Sequence, residues 1–547
     1  MVVRLLVFLV IMVSLAPAAE TGTSFAARVA ELDPAAREAA VVAAVRSGNV
    51  PAWWRQFVEV TMGDAVIAVA PDYLCVGTED DYWLAPLSPV VAQVLADELG
   101  CVLPTRKMVD AIWRAAAVKL EPQPIPPSPA MTTAAVFNEH NATVRSQRAE
   151  EAKKFPAGAL VAGHKKDVVV SARLASAPGK VAIYGWHRLE GAPIQPLYTG
   201  HAASWVDYSH GVRLVRKNLT LAGEHTTVAA VLADPEKCAA LSDEGPVAVA
   251  RYVTERSEDV KLSDDVRAVV NVPQWIDPTK PARLVIYGAP AGNSIEQTWG
   301  RRKREGDDWH FDIQHIAAQT RWLRVHATEV NWVVACVQAE QRSFVLWKRA
   351  HPDDHPRRAG AIMDALRAKF PGAKLVLTGH SAGGALTFSY LDGVEKIPDD
   401  VERIAFLDSN YAYDSAKGHG DKIAAWLGGA EGRWLSVLAY QDYVALLEGK
   451  TFVSENGGTW GRSQVMLRDW ADVWSWTRRD DDGLRRHTAF GGRVEFLLKE
   501  NPEKAVLHTR LVEWNGFIHA MLSGSVRAEQ AYRYLGPRVY GDWIADK

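Results

Sequence analysis

Cysteine, net charge and membrane-length apolar runs are all scarce in this sequence. Four cysteines in 547 residues are too few for a disulfide-stapled scaffold. A formal charge of −3 gives no reason to expect a nucleic-acid or membrane-surface partner. Beyond the N-terminus no apolar stretch has the length of a membrane span, so we expect no stable membrane insertion once the N-terminal segment described next is removed.

The N-terminal segment Met1–Ala19 has the layout of a secretory signal peptide. Arg4 supplies the positive start, an apolar run covers residues 5–15, and Ala16-Pro-Ala18 offers small residues for cleavage. An uncleaved anchor is the alternative, but the run is short for a bilayer. The sequence therefore predicts a secreted or periplasmic protein.

Residues 20–243 read as an α+β domain. Asp33 and Pro34 predict a helix start, and the proline-rich segment 121–129 is typical of extended chain. Two sharper hypotheses arise: a Cys101–His210 nucleophilic pair, and a metal site among His187, His201, Asp207 and His210. The spacing of these histidines and cysteines matches no metal motif, so we predict no metal. This region resembles only uncharacterised secreted bacterial proteins, which supplies no function.

Residues 244–547 alternate short apolar runs with helix-length segments. Continuous apolar runs are typical of strands buried on both faces, as in a parallel sheet with helices on either side. We therefore predict a doubly wound, mostly parallel sheet of eight strands. The predicted strands are Val247–Val253, Val266–Val272, Leu284–Gly288, Trp332–Gln338, Leu375–Thr378, Val401–Leu407, Trp434–Tyr440 and Ala505–Val512.

The segment Lys374–Gly384, with sequence KLVLTGHSAGG, is the most informative stretch of the chain. It predicts a strand, a Gly-x-Ser-x-Gly turn centred on Ser381, and a helix. A serine at the tip of such a turn exposes its hydroxyl, and the tight turn needs glycine at positions 379 and 383. Helical spacing before the strand completes the context that the motif requires.

Eight strands with this turn after the fifth resemble the α/β-hydrolase superfamily over residues 244–547. The resemblance implies a triad in the chain order Ser, acid, His, with the acid after strand seven and the histidine after strand eight. Asp442 and His519 follow the predicted strands seven and eight. Asp408, after strand six, is the alternative acid, and His508 and His487 also lie near the predicted histidine.

The resemblance also assigns supporting roles. The oxyanion donors are the backbone of Ala382 and an N–H in the loop after strand three, from Ala289, Ala291 or Gly292, because Pro290 has none. Trp460 and His380 are predicted to bind substrate. An insert over residues 443–504 lies where substrate-binding lids usually arise. Trp460, Trp470 and Trp474 would then form an apolar or sugar-stacking wall, and the alternative is that each packs on its own domain.

These features predict a secreted serine hydrolase that acts on small or polymeric carboxylic esters through an acyl-enzyme, without a cofactor. Two alternatives stay open. The same triad serves a peptidase or amidase, and a degenerate hydrolase domain would suit a cell-envelope binding protein. The sequence leaves the oligomeric state undetermined.

Overall fold

The computed structural model describes residues 19–545, so most of the predicted signal peptide Met1–Ala19 lies outside the described residues. The chain divides into two compact units, with the boundary between Val253 and Thr254. The sequence predicts this boundary ten residues earlier, after residue 243. Across residues 19–545, no helix combines the length and the apolar character that a membrane crossing requires.

The first unit is a mixture of helices and small sheets. Asp33 caps the second helix by accepting a 2.9 Å hydrogen bond from the Ala36 N–H, as predicted. The helices are Gly22–Val29, Pro34–Ser47, Pro89–Glu98, Arg106–Ala115, Ala134–Ala152 and Val228–Ala233. The six-stranded sheet holds Val58–Met62, Ala65–Val69, Cys101–Val102, Val215–Arg216, Asn218–Leu221 and Glu224–Thr227; the four-stranded sheet holds Lys166–Val169, Ala182–His187, Pro193–Tyr198 and His210–Gly211. Two short pairs join Cys75–Gly77 to Tyr82–Leu84 and Val118–Lys119 to Val161–Ala162.

The structure supports neither the Cys101–His210 nucleophilic pair nor the histidine metal site. Cys101 is buried and its thiol donates to the Leu99 carbonyl, and burial raises its pKa to about 11, so a thiolate is disfavoured. His210 lies instead beside Asp207, with 3.7 Å between Nε2 and the carboxylate. Within residues 19–545 no cluster of three histidine, cysteine or acidic side chains could hold a metal ion. All four cysteines are buried thiols.

The second unit is built on a ten-stranded sheet, two strands more than predicted. We number its strands β1 to β10 along the chain: Glu255–Lys261, Val266–Pro273, Ala282–Gly288, Asn331–Ala339, Lys374–His380, Val401–Leu407, Trp434–Tyr440, Thr477–Asp481, Leu484–Ala489 and Val494–Lys499. Their order in the sheet is β1-β2-β4-β3-β5-β6-β7-β10-β9-β8. The central six, from β4 to β10, are mutually parallel, and antiparallel strands lie at both edges.

Helices cover both faces of this sheet. We number them α1 to α9: Ile295–Trp299, Ile316–His326, Phe344–Ala350, His355–Lys369, Gly384–Gly393, His419–Gly428, Thr459–Asp469, Arg510–Glu513 and Gly516–Leu522. Helices α3 to α7 pack their apolar side chains on one face, and α1, α2, α8 and α9 pack on the other. This layering explains the continuous apolar strands, because a side chain on either face is buried.

Two of the eight predicted strands are absent. Residues 247–253 form no strand, and the first strand, Glu255–Lys261, pairs antiparallel with β2. Residues 505–512 are loop and the start of α8, and the last parallel strand is β10, Val494–Lys499. The predicted insert 443–504 is therefore not a separate lid, since three of its segments are strands of the sheet and one is helix α7.

A 3-10 turn, Asp442–Val444, and a short hairpin, Leu446–Leu447 with Lys450–Thr451, lie between β7 and α7.

Candidate active site

Ser381 stands at the carboxyl end of β5 in a strained turn. Its φ is +55°, which L-residues with side chains rarely adopt. A Cβ on Gly383 would lie 2.0 Å from the Gly288 carbonyl oxygen at the end of β3, and one on Gly384 would lie 1.9 Å from the Ser409 carbonyl oxygen after β6. The turn is therefore clamped between two strand ends by direct backbone contact, which only glycine permits. Ser381 is half-buried, and its hydroxyl has no hydrogen-bond partner among residues 19–545.

Asp408 lies directly beside this turn. Strands β5 and β6 are parallel and pair His380 with Leu407, so Ser381 and Asp408 occupy equivalent positions at the same edge of the sheet. The Ser409 hydroxyl donates a 2.9 Å hydrogen bond to the Gly379 carbonyl and ties the two strand ends together. Asp408 is fully buried and has a φ of +47°. The two strained residues are neighbours.

His508 completes a pair with Asp408. Its Nδ1 lies 2.5 Å from Asp408 Oδ2, and the other carboxylate oxygen, Oδ1, accepts from the Thr459 hydroxyl. The imidazole of His508 contacts that of His380, the residue before Ser381, with 4.4 Å between ring centroids. The His508 side chain is a quarter exposed, and no group in the described chain bonds to its Nε2. An imidazole held at Nδ1 by a carboxylate and free at Nε2 is equipped to take a proton from a nearby hydroxyl.

His519 occupies a different environment from the one predicted. It is completely buried in α9, its Nε2 lies 2.9 Å from Glu495 Oε2, and its Nδ1 lies 3.1 Å from the Tyr532 hydroxyl. Both ring nitrogens are therefore engaged, and neither is available to Ser381. The sequence prediction took residues 505–512 as the last strand; with β10 at Val494–Lys499, the first histidine after the sheet is His508.

Asp442 is close to the pair but does not hold the histidine. Its Oδ2 accepts the Thr459 N–H at 2.7 Å, and the Thr459 hydroxyl lies 3.3 Å from the same oxygen. Its Oδ1 is buried without a partner in the described chain. Burial and the charge of Asp408 raise the pKa of Asp442 to about 6. Thr459 thus links the carboxyl groups of Asp408 and Asp442, and of the two only Asp408 contacts the His508 imidazole.

This raised pKa predicts how Asp442 affects stability. An acid with a folded pKa near 6 and an ordinary pKa near 3.8 favours the folded state below pH 3.8, and this contribution is lost as pH rises through 6. We expect Asp442→Asn, which stays neutral and keeps an oxygen for the Thr459 N–H, to be about 1–3 kcal/mol more stable than the wild type at pH 7.5. Urea unfolding measures the difference, which should shrink towards pH 4. A variant that is less stable at pH 7.5 would contradict the assignment.

The predicted oxyanion donors differ in whether their N–H groups are already bonded. The N–H groups of Ala289 and Gly292 donate to the carbonyls of Val337 and Arg342, both at 2.9 Å, so neither is free. The Ala291 N–H donates to no acceptor in the described part of the chain. Ala382 is the second residue of the 3-10 turn Ser381–Gly383, so its N–H belongs to a first turn that has no intrahelical acceptor.

The predicted substrate-binding residues are packing and support residues. Trp460 is buried on the core-facing side of α7, with the Arg485 guanidinium 5.2 Å from its ring. Trp470 is buried too and donates its N–H to the Gly420 carbonyl, so neither tryptophan forms a substrate wall; Trp474 packs against Trp470. His380 is buried and both its ring nitrogens are bonded within the protein.

Comparisons with known proteins leave the family open. No protein-family model matches the chain, and no curated protein matches it. Among solved structures, a cold-adapted esterase from an Arctic intertidal metagenomic library is similar at 11% identity, with a TM-score of 0.29, over 50% of this chain and 96% of its own. The feruloyl esterase module from Clostridium thermocellum gives 9% identity and a TM-score of 0.30 over 52% and 91%, and a siderophore hydrolase from Aspergillus nidulans gives 10% and 0.28 over 50% and 97%. These three proteins are two esterases and a hydrolase, at similarities too low to carry an argument about this site.

Proposed function

We propose that this protein is a serine hydrolase that cleaves carboxylic esters, with Ser381 as nucleophile, His508 as general base and Asp408 as the acid. The observation that carries the proposal is the His508–Asp408 contact at the sheet edge where Ser381 stands in its strained turn. Within this proposal the second unit is an α/β-hydrolase domain with a hairpin, β8–β9, added beyond β10. The signal peptide predicted at Met1–Ala19 makes export part of the same proposal.

The reaction proceeds in two halves. Ser381 Oγ attacks the ester carbonyl carbon while its proton passes to His508 Nε2, and the carbonyl oxygen becomes an oxyanion that the N–H groups of Ala382 and Ala291 stabilise. The C–O bond to the leaving alcohol then breaks, and the imidazolium returns the proton to that alcohol. Water repeats the sequence on the acyl-enzyme and releases the carboxylic acid and free Ser381.

Asp408 orients the His508 imidazole and fixes its tautomer. Its carboxylate accepts the Nδ1 proton of His508, so the neutral imidazole presents a lone pair at Nε2, and its negative charge stabilises the imidazolium. Thr459 donates to the second oxygen of Asp408 and keeps the carboxylate from rotating away.

A substrate panel tests the reaction class. We expect the wild type to hydrolyse p-nitrophenyl esters of graded acyl length, with release of the phenol, and Ser381→Ala to lose this activity to background. The matched anilides measure amide cleavage and should turn over far more slowly. Anilide cleavage faster than ester cleavage would reassign the protein as an amidase, and ester cleavage that survives in Ser381→Ala would remove Ser381 from the reaction.

A further inference from the structure

A buried chain of three hydrogen bonds runs from β3 to the main chain of His508. The Tyr287 hydroxyl donates to Gln314 Oε1 at 2.7 Å, Gln314 Nε2 donates to His380 Nδ1 at 2.9 Å, and His380 Nε2 lies 3.1 Å from the His508 carbonyl oxygen. Tyr287, Gln314 and His380 are each at most 1% exposed. None of these bonds belongs to the proposed triad itself.

Chemistry fixes the direction of every bond in this chain. A backbone carbonyl can only accept, so His380 must carry its proton on Nε2. In the neutral ring Nδ1 is then an acceptor and faces the Gln314 amide NH₂ group. The Gln314 oxygen is left for the Tyr287 hydroxyl. A second proton on His380 would set an N–H against the NH₂ group of Gln314.

His380 is accordingly held neutral. Burial and the neighbouring His508 together lower its pKa well below the usual range. Because its ring centroid is 4.4 Å from that of His508, a charged His380 would oppose the imidazolium that His508 becomes during the reaction. A neutral ring at this place can donate to the loop without that repulsion.

The bond from His380 also anchors the histidine's backbone. Across residues 506–508 of the described chain two main-chain groups are bonded: the Leu507 carbonyl accepts the Leu511 N–H of the following helix α8 at 3.2 Å, and the His508 carbonyl is the one that bonds to a residue distant in sequence. Gln314, in the middle of this chain of hydrogen bonds, is itself held in place, because Gln319 Nε2 donates to the backbone carbonyl oxygens of Gln314 and Val512 at 2.8 and 3.2 Å. Asp408 holds the imidazole, and His380 holds the backbone that carries it.

We propose that His380 is a positioning residue for His508, and that Tyr287 and Gln314 fix its tautomer. The inference rests on the proposed function for its catalytic consequence. His380 has no substrate-binding role in this arrangement. It acts on the proton transfer through His508, so its loss should lower kcat while leaving KM nearly unchanged.

Four variants test the inference on ester hydrolysis. His380→Leu, which keeps the bulk but donates nothing, should lower kcat roughly 10- to 100-fold with KM within about threefold. His380→Gln, which restores an N–H at similar reach, should recover most of that loss. Tyr287→Phe, which keeps the ring against Phe517, should lower kcat about two- to fivefold. Tyr532→Phe is the matched control, because it removes a buried hydroxyl bonded to His519 and should leave kcat unchanged.

Amide hydrogen exchange gives a readout that does not need activity. Peptides covering residues 500–509 should exchange faster in His380→Leu than in the wild type, and at the wild-type rate in His380→Gln and Tyr532→Phe. With an active wild type, an unchanged kcat in folded His380→Leu would overturn the inference, as would unchanged exchange or a loss that appears only in KM. If His380→Leu does not fold, the same two measurements on Tyr287→Phe against Tyr532→Phe decide.

The two proposals fail in different ways. A wild type that cleaves no ester in the panel refutes the proposed function, and the exchange of residues 500–509 then decides the positioning role alone. An active wild type whose kcat is indifferent to His380→Leu refutes the inference and leaves the proposed function standing.

Discussion

Replacing His508 by alanine should lower kcat for ester hydrolysis by roughly 10⁴-fold or more. The loss is large because the Ser381 hydroxyl is a weak nucleophile until a base removes its proton, and His508 is the imidazole that Asp408 holds at Nδ1 with Nε2 unbonded in the described chain. KM should change little, since the imidazole acts on the reacting hydroxyl and the proposal gives it no part in binding the ground state. Initial rates over a range of ester concentrations measure both constants.

His519→Gln is the matched control for this prediction. The replacement keeps a hydrogen-bonding side chain beside Glu495 and Tyr532 and leaves the His508–Asp408 pair intact. We expect it to retain kcat within about threefold, with a lower thermal midpoint because a buried network is disturbed. Loss of activity in folded His519→Gln, with activity retained in His508→Ala, would restore the sequence-based triad and refute ours.

Asp408→Asn should lower kcat by roughly 10³- to 10⁴-fold. The substitution removes the negative charge that stabilises the imidazolium. It also lets an amide NH₂ group face Nδ1, which moves the ring proton to Nε2 and leaves no lone pair for Ser381. The size of the side chain is conserved, so the fold should be retained. Steady-state kinetics with circular dichroism on the same samples separate the chemical loss from unfolding.

Asp442→Asn provides the comparison for the acid. Asp442 accepts hydrogen bonds from Thr459, as Asp408 does, but it contacts no imidazole. We therefore expect kcat of Asp442→Asn to stay within about tenfold of the wild type. The order of the two variants is therefore the result that matters. Equal losses would mean that the two carboxyl groups act as one unit, and a larger loss in Asp442→Asn would return the acid to the position after β7.

The strand-turn-helix around Ser381 could be predicted from sequence because every determinant of it is local. The apolar run, the glycines at 379 and 383 and the following helix lie within a few residues of one another. Asp408 is one of two candidate acids in the sequence, since each follows an apolar run. Choosing between them requires the contact of His508 with Asp408, which joins residues 100 positions apart.

His508, the histidine of the proposed triad, could not be chosen from sequence because the last strand is not where the apolar pattern predicts it. Residues 505–512 have the composition of a strand. The actual last strand, β10, is a six-residue run that pairs with β7 on one side and β9 on the other. Glu495 within it is buried because Arg486 of β9 and His519 pair with it, and those partners are known only from the fold. The Asn501-Pro502 dipeptide was an available signal, since it marks a turn and hence the end of the preceding run.

Labelling with a fluorophosphonate, followed by peptide mapping, decides whether Ser381 is a nucleophile that His508 activates. We predict one adduct per chain, on Ser381, formed at a rate that His508→Ala lowers at least 100-fold and His519→Gln leaves within about threefold. Absence of labelling or an adduct on another residue would contradict Ser381 as the nucleophile. A labelling rate indifferent to His508→Ala would contradict His508 as the base that activates it.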